Sequence, residues 1–239
     1  MASNELVAVL HFFALCSCFF GMYYVHLNCS PVLCMVYTGC WFMTSGVANF
    51  AGFLSILFSF TDSDPNKARS HYALQYHYLF AWISCIVGYP AFVSSTWMAY
   101  YPSVAAHAYV ALAVIPLIAW LQRQGDLIIF TTQFVTMFSI LSHMYISILS
   151  ENHWCFAGAC VMLLNLILVS TPTRYAVLGF SAREAFLISS TVTSYLLAQG
   201  VEQMSVKHKE SEDVWFFAIL MELGTQLFTM KEEDEGDLD

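Results

Sequence analysis

Charge is what this sequence has least of. Only 10% of its 239 residues are Asp, Glu, Lys or Arg, and Lys plus Arg number 8, where a soluble domain carries about a quarter charged residues. With no basic run or patch, a nucleic-acid surface is excluded, because such a surface must neutralise a row of phosphates. Gly-rich phosphate loops, the nucleophile turn of serine hydrolases, the metalloprotease His-Glu-x-x-His helix and the dinucleotide fingerprint are also missing. So are the paired ionisable residues that ion coupling leaves inside apolar segments, and no inverted repeat stands out. The stretches between apolar runs are too short to fold as a catalytic domain.

What is abundant is apolar surface: 59% of residues are hydrophobic and 16% aromatic. Runs at 6–27, 32–60, 77–100, 104–121, 127–149, 154–171, 184–203 and 214–230 are each about long enough to cross a hydrocarbon core, which takes roughly 20 helical residues. The expected fold is therefore all-α, a polytopic helical membrane bundle of eight spans. The last run is the shortest and holds Glu222 and Gln226; if it lies in the interface instead, seven spans remain. Glu5, not a basic region, precedes the first run, which reads as an uncleaved helix and not a signal peptide. Residues 1–230 form one integral-membrane domain in this reading. The net charge of -9 is concentrated in a tail, since Glu232, Glu233, Asp234, Glu235, Asp237 and Asp239 occupy the final residues. Residues 231–239 are expected to be a solvated, disordered cytoplasmic tail.

The few basic residues orient the bundle. Lys67 and Arg69 follow the second run, Arg123 the fourth, and Arg174 and Arg183 the sixth, whereas the loops after runs one, three and five have none. Positive residues stay on the cytoplasmic side, which places the even loops there, and both termini with them if all eight runs span. Lys207 and Lys209 dissent, but Glu210, Glu212 and Asp213 flank them. On the opposite side Asn28-Cys29-Ser30 is a glycosylation sequon, weakened by Pro31 and by its closeness to the bilayer. Cys29 and Cys155 would face the same oxidising compartment, so either a disulfide or two thiols is allowed. The other cysteines lie in apolar runs without metal-ligand spacing and read as small core residues.

Local chemistry marks some helix ends. Ser30-Pro31 is a cap followed by a first-turn proline, and Ser181-x-x-Glu184 is a capping box. Pro90 and Pro116 fall inside apolar runs, where each removes a backbone donor and is expected to bend its helix.

Polar residues inside the apolar runs are the candidate sites. Ser45, Asn49 and Gly52 follow the i, i+4, i+7 spacing of one helical face, a seam where small residues admit a neighbouring helix and polar groups bond across it. A polar pocket is the sharper alternative for the same residues. Thr132, Thr136, Ser139 and His143 repeat the device on the fifth run, continued by Ser147, and Thr191, Tyr195 and Glu202 share a line on the seventh. His11, His107, His143 and Glu202 are intramembrane ionisable groups to be weighed for function. His107 and His143 are conceivable neighbours in one half of the membrane, but hydrogen-bonded core histidines are the ordinary explanation. No metal, cofactor or catalytic residue is assigned.

"FMTSGVANFAGFL", "FAWISCIVGYPAFVSSTW" and "IPLIAWLQRQG" resemble the corresponding parts of the transmembrane protein 187 family. The likeness covers roughly residues 40 to 125, with an echo at "YAVLG" (175–179), and implies a fold more than an activity. The first of these stretches is also similar to the first core helix of the superfamily of alkaline ceramidases, progestin and adipoQ receptors and myomaker, through Phe42, Ser45 and Asn49. That resemblance implies a seven-helix core behind one N-terminal helix, and a metal held by three His with a nearby Ser and Asp. This chain departs from the pattern: run 77–100 has no His–Asp pair in its membrane portion, His77 standing at its cytoplasmic start, and the final run has no His. A metal-dependent lipid hydrolase is thereby disfavoured.

The expected function is that of a non-enzymatic multi-pass membrane protein acting through contacts with membrane lipids or other membrane proteins, in the endomembrane system or plasma membrane. A transporter or receptor for a small molecule or ion is the alternative.

Overall fold

In a computed structural model, residues 4–29, 32–61, 68–101, 104–170, 176–177 and 180–204 are described. The expected run at 214–230 and the acidic tail lie outside them. The described residues are helical almost throughout: α1 Asn4–Asn28, α2 Val32–Thr61, α3 Ala68–Ile83, a π-helical turn Ser84–Gly88, α4 Tyr89–Tyr100, a 3-10 turn Val104–His107, α5 Ala108–Ala111, α6 Val114–Leu121, α7 Gly125–Leu149 and α8 His153–Ser170. A two-stranded antiparallel pair, Ala176–Val177 with Phe180–Ser181, leads into α9, residues 182–204.

Among the described residues, four helices are long and apolar enough to cross a membrane: Asn4–Asn28, Met35–Thr61, the continuous rod Arg69–Tyr100, and Gly125–Leu149. Ala108–Leu121 and His153–Val169 are shorter apolar helices. Large apolar side chains such as Phe19, Phe130 and Ile129 stand 60% or more exposed. In water that surface would be costly, whereas against acyl chains it costs nothing.

Contacts set the direction of each helix. His11 meets Asn49 while Phe42 packs onto Gly21, so α1 and α2 are antiparallel. Ser70 bonds to Ser55 and Trp41 packs on Tyr89, so the α3–α4 rod runs back along α2. Trp82 bonds to Thr132 and Trp97 to Ser142, so α7 runs parallel to that rod. On the far side Cys18 lies 3.8 Å from Ser194, and Phe20 stacks on Tyr195. The N-terminal helix is thus packed between α2 and α9 as a full member of the bundle. Arg69, Arg123 and Arg183 all fall at the end where α1 and α9 begin.

Neither Pro90 nor Pro116 ends its helix in isolation. Pro90 follows the π turn, in which Tyr89 N–H reaches Ser84 O, one residue farther back than in an α-helix. That wider turn takes up the donor lost at proline while the rod continues. Pro116 would leave Leu112 O without its usual donor, and Ile115 N–H takes it in a tighter turn at 3.1 Å. The short break between α5 and α6 is the result.

One boundary differs from the sequence reading. The rod begins at Ala68, well before residue 77, because Ser70 Oγ donates to Ser55 O at 2.8 Å and holds this polar stretch against α2. His77 is consequently inside the rod and not at its start.

Candidate functional site: two buried histidine clusters

Among the described residues two histidines are almost wholly buried, and each organises a different part of the bundle. The first cluster belongs to α1, α2 and α3. His11 is 1% exposed. Its Nδ1 lies 3.1 Å from Asn49 Oδ1, while Asn49 Nδ2 donates to Ser45 O at 2.9 Å. Ser45 therefore takes part through its main-chain carbonyl. Gly52 is the reason the ring fits: a Cβ there would stand 2.5 Å from His11 Cε1. The same glycine-on-large-residue device recurs where Phe42 fills the space over Gly21. His77 from α3 completes the group, its Nδ1 2.8 Å from Ala48 O and its ring centroid 5.1 Å from that of His11. Arg183 is exposed at the start of α9. Val7, Ala8, Ile56 and Leu187 form an apolar cluster around the same helix ends.

The second cluster joins α4 to α7. His143 is fully buried, with Tyr89 OH at 2.9 Å from Nδ1 and Thr96 Oγ1 at 3.5 Å from Nε2. The rings of Tyr89 and Phe92 pack on it with centroids 5.6 Å away. Gly88 lets α2 approach this region, since a Cβ there would meet Thr44 Oγ1 at 2.5 Å. Along α7, Thr132 Oγ1 accepts from Trp82 Nε1–H at 2.8 Å. Thr136, Ser139 and Ser147 share the buried face, yet their hydroxyls have no hydrogen-bond partner among the described residues, nor has that of Ser94 on α4.

The sequence-predicted residues thus divide. Ser45, Asn49 and Gly52 line the α1–α2 contact, whereas Thr136, Ser139 and His143 share the buried face of α7, with His143 against α4 and Thr132 against Trp82 of α3. His107 and His143 are tied to different tyrosines, His107 Nδ1 lying 3.0 Å from Tyr37 OH. The α9 line was misplaced: Tyr195 is 47% exposed and Glu202 also faces out, whereas Ser189, Thr193 and Ser194 are buried. The inward face is set by α8, whose Asn165 accepts from Ser189 and donates to Thr193. Cys16 is exposed and not a core residue. The Cys29–Cys155 bridge is not formed, and Cys155 Sγ is instead sunk against Gly200, where a Cβ would collide with it. Asn28 turns its amide back on Tyr24 O at 3.0 Å.

Two asparagines escaped the sequence reading. Asn165 is a single amide in an otherwise apolar helix, which in lipid marks a helix-to-helix bond. Asn152 caps α8, accepting from Cys155 N–H at 3.0 Å, and donates to Tyr100 OH and Gly200 O. An Asn three residues before that N–H was the available signal. Ser181 and Glu184 do form the reciprocal capping box.

No family model, no curated protein and no solved structure matches this chain.

Proposed function

We propose that this chain is a non-enzymatic multi-pass membrane protein that works through contacts with lipids or other membrane proteins. It crosses the bilayer eight times in this reading, with both termini and the even loops cytoplasmic. The observation that carries it is the use made of the interior polar groups. His143 with Tyr89, Trp82 with Thr132, Trp97 with Ser142, Asn49 with His11 and Asn165 with Ser189 are spent binding one helix to another. Such bonds give a bundle its register, and the outward apolar face is left to make the working contacts. The gathering of Arg69, Arg123 and Arg183 at one end supports the orientation. The resemblance to the transmembrane protein 187 family is kept as part of this proposal.

The test is photocrosslinking in native membranes from probes at Phe130 and Phe19, with reproducible capture of particular lipids or membrane proteins expected. The reading is overturned if the purified protein hydrolyses a lipid amide or ester and Ser45→Ala abolishes that activity while the protein stays monodisperse. A second reading, a carrier or receptor, rests on the unpartnered hydroxyls of Ser94, Thr136, Ser139 and Ser147, which a polar ligand would satisfy. Solute flux in proteoliposomes that Thr136→Val and Ser139→Ala reduce would favour it.

A further inference from the structure

Where α4, α5 and α7 meet, aromatic rings follow one another at nearly one inclination. Trp97 and Tyr109 are 13° from parallel with centroids 6.3 Å apart, Tyr109 and Phe138 25° and 5.9 Å, and Phe138 and Phe134 13° and 6.3 Å. Tyr101 and Tyr145 flank Trp97 at 6.2 Å each. The rest of the bundle leaves this strip open, for Tyr101, Tyr145, Phe134 and Phe138 are 46–57% exposed. A hydrogen-bond chain ends on the same rings. Trp97 Nε1–H donates to Ser142 Oγ at 2.8 Å, and Ser142 Oγ–H donates to Tyr109 OH at 2.6 Å. The Tyr109 hydroxyl hydrogen is then left over, with no acceptor among the described residues. Ser142 lies seven residues from the end of α7, about 10 Å at 1.5 Å per residue, so in a bilayer this donor faces lipid and not bulk water. A donor left unmade in apolar surroundings is costly, and an acceptor on a lipid removes the cost.

We infer that this strip binds a sterol, its hydroxyl oxygen accepting from Tyr109 and its fused rings lying along Trp97, Tyr109, Phe138 and Phe134. A sterol here is one case of the lipid contacts proposed above and rests on that reading. The choice of lipid follows from charge, shape and polarity. The Lys and Arg side chains among the described residues, Arg69, Arg123 and Arg183, are all at the opposite end of the bundle, so the strip lacks the cation that an anionic headgroup would pair with, whereas a neutral hydroxyl matches a single donor. Rings inclined alike give a flat rigid nucleus one orientation along its length. Such a nucleus has no torsions to lose on binding, while an acyl chain gives some up at each ring it follows. The polar-tipped rings of Trp97, Tyr101, Tyr109 and Tyr145 stand toward the outer end and the plain rings of Phe138 and Phe134 lie deeper along α7, the same polarity as a sterol with its hydroxyl at one end.

The experiment places the full chain in phosphatidylcholine nanodiscs, irradiates it with a diazirine-bearing sterol or a diazirine-bearing phosphatidylcholine, and maps the adducts by peptide mass spectrometry. Sterol adducts should fall on the segments holding Tyr109, Phe134 and Phe138. Unlabelled cholesterol should displace them, and epicholesterol, in which the hydroxyl is inverted, should do so several times less well. Tyr109→Phe should lower capture about fivefold, the loss of one hydrogen bond. Phe134→Leu and Phe138→Leu should each lower it severalfold, while Phe13→Leu on α1 leaves it unchanged. Cholesterol should also raise the unfolding midpoint of the native protein, a readout that needs no variant. Undiminished capture by Tyr109→Phe, equal displacement by the two epimers, or phosphatidylcholine adducts in place of sterol adducts at these segments would overturn the sterol site. If that happens while probes at Phe130 and Phe19 still capture particular lipids or proteins, the lipid-contact reading survives without the sterol; lipid hydrolysis abolished by Ser45→Ala would remove that reading whatever the strip binds.

Discussion

His11 and His143 have the same side chain and nearly the same burial, but they are finished differently. His143 has a hydroxyl at each ring nitrogen, from Tyr89 and Thr96, both on α4. His11 has one partner, Asn49, and a second nitrogen with none among the described residues. Burial alone therefore does not separate a histidine bonded at both nitrogens from one bonded at a single nitrogen. The decisive count is of satisfied nitrogens, because a buried polar atom left unmade costs about 1–3 kcal/mol unless something else binds it.

The comparison can be broken most severely at Gly52. Gly52→Leu should cost about 3 kcal/mol or more, since the new side chain must occupy the space of an imidazole pinned by Asn49. A large fall in thermal unfolding midpoint, or loss of a monodisperse peak in detergent, is expected. His143→Ala comes next at about 2–4 kcal/mol, because it opens a cavity beneath Tyr89 and Phe92 and strands the Tyr89 hydroxyl. His11→Leu should cost clearly less than His143→Leu, by roughly 1 kcal/mol, since it also removes an unsatisfied nitrogen. Equal losses in those two variants would erase the distinction between the clusters. Asn49→Ala should cost about 1–2 kcal/mol, having taken the acceptor from His11 Nδ1–H. Ser45→Ala should be the mildest, within about 0.5 kcal/mol, because alanine keeps the carbonyl that Asn49 uses. The order of unfolding midpoints across this set checks all of these at once.

Much of the scaffold was legible from one dimension. The apolar runs predicted α1, α2, α7 and α8 to within a few residues, as hydrophobic length is a property of the segment itself. The Ser181–Glu184 capping box was readable for the same reason, its two members being three residues apart. The seam at Ser45, Asn49 and Gly52 was visible as a face, but its partner was not. Nothing in the sequence pairs residue 52 with residue 11, or residue 48 with residue 77. The α9 stripe failed in the complementary way: its periodicity was real, yet the side turned inward was chosen by Asn165 on α8 and by Cys18 on α1.

The sequence by itself determined that the chain is helical, apolar and rich in internal polar stripes, because hydropathy and 3.6-residue periodicity act within one helix. Only the tertiary structure decided which histidine is satisfied and which is left with a bare nitrogen. That depends on atoms contributed from distant positions, Asn49 to His11, Ala48 to His77 and Tyr89 to His143, and a hydrogen bond exists only where two helices bring donor and acceptor within about 3 Å.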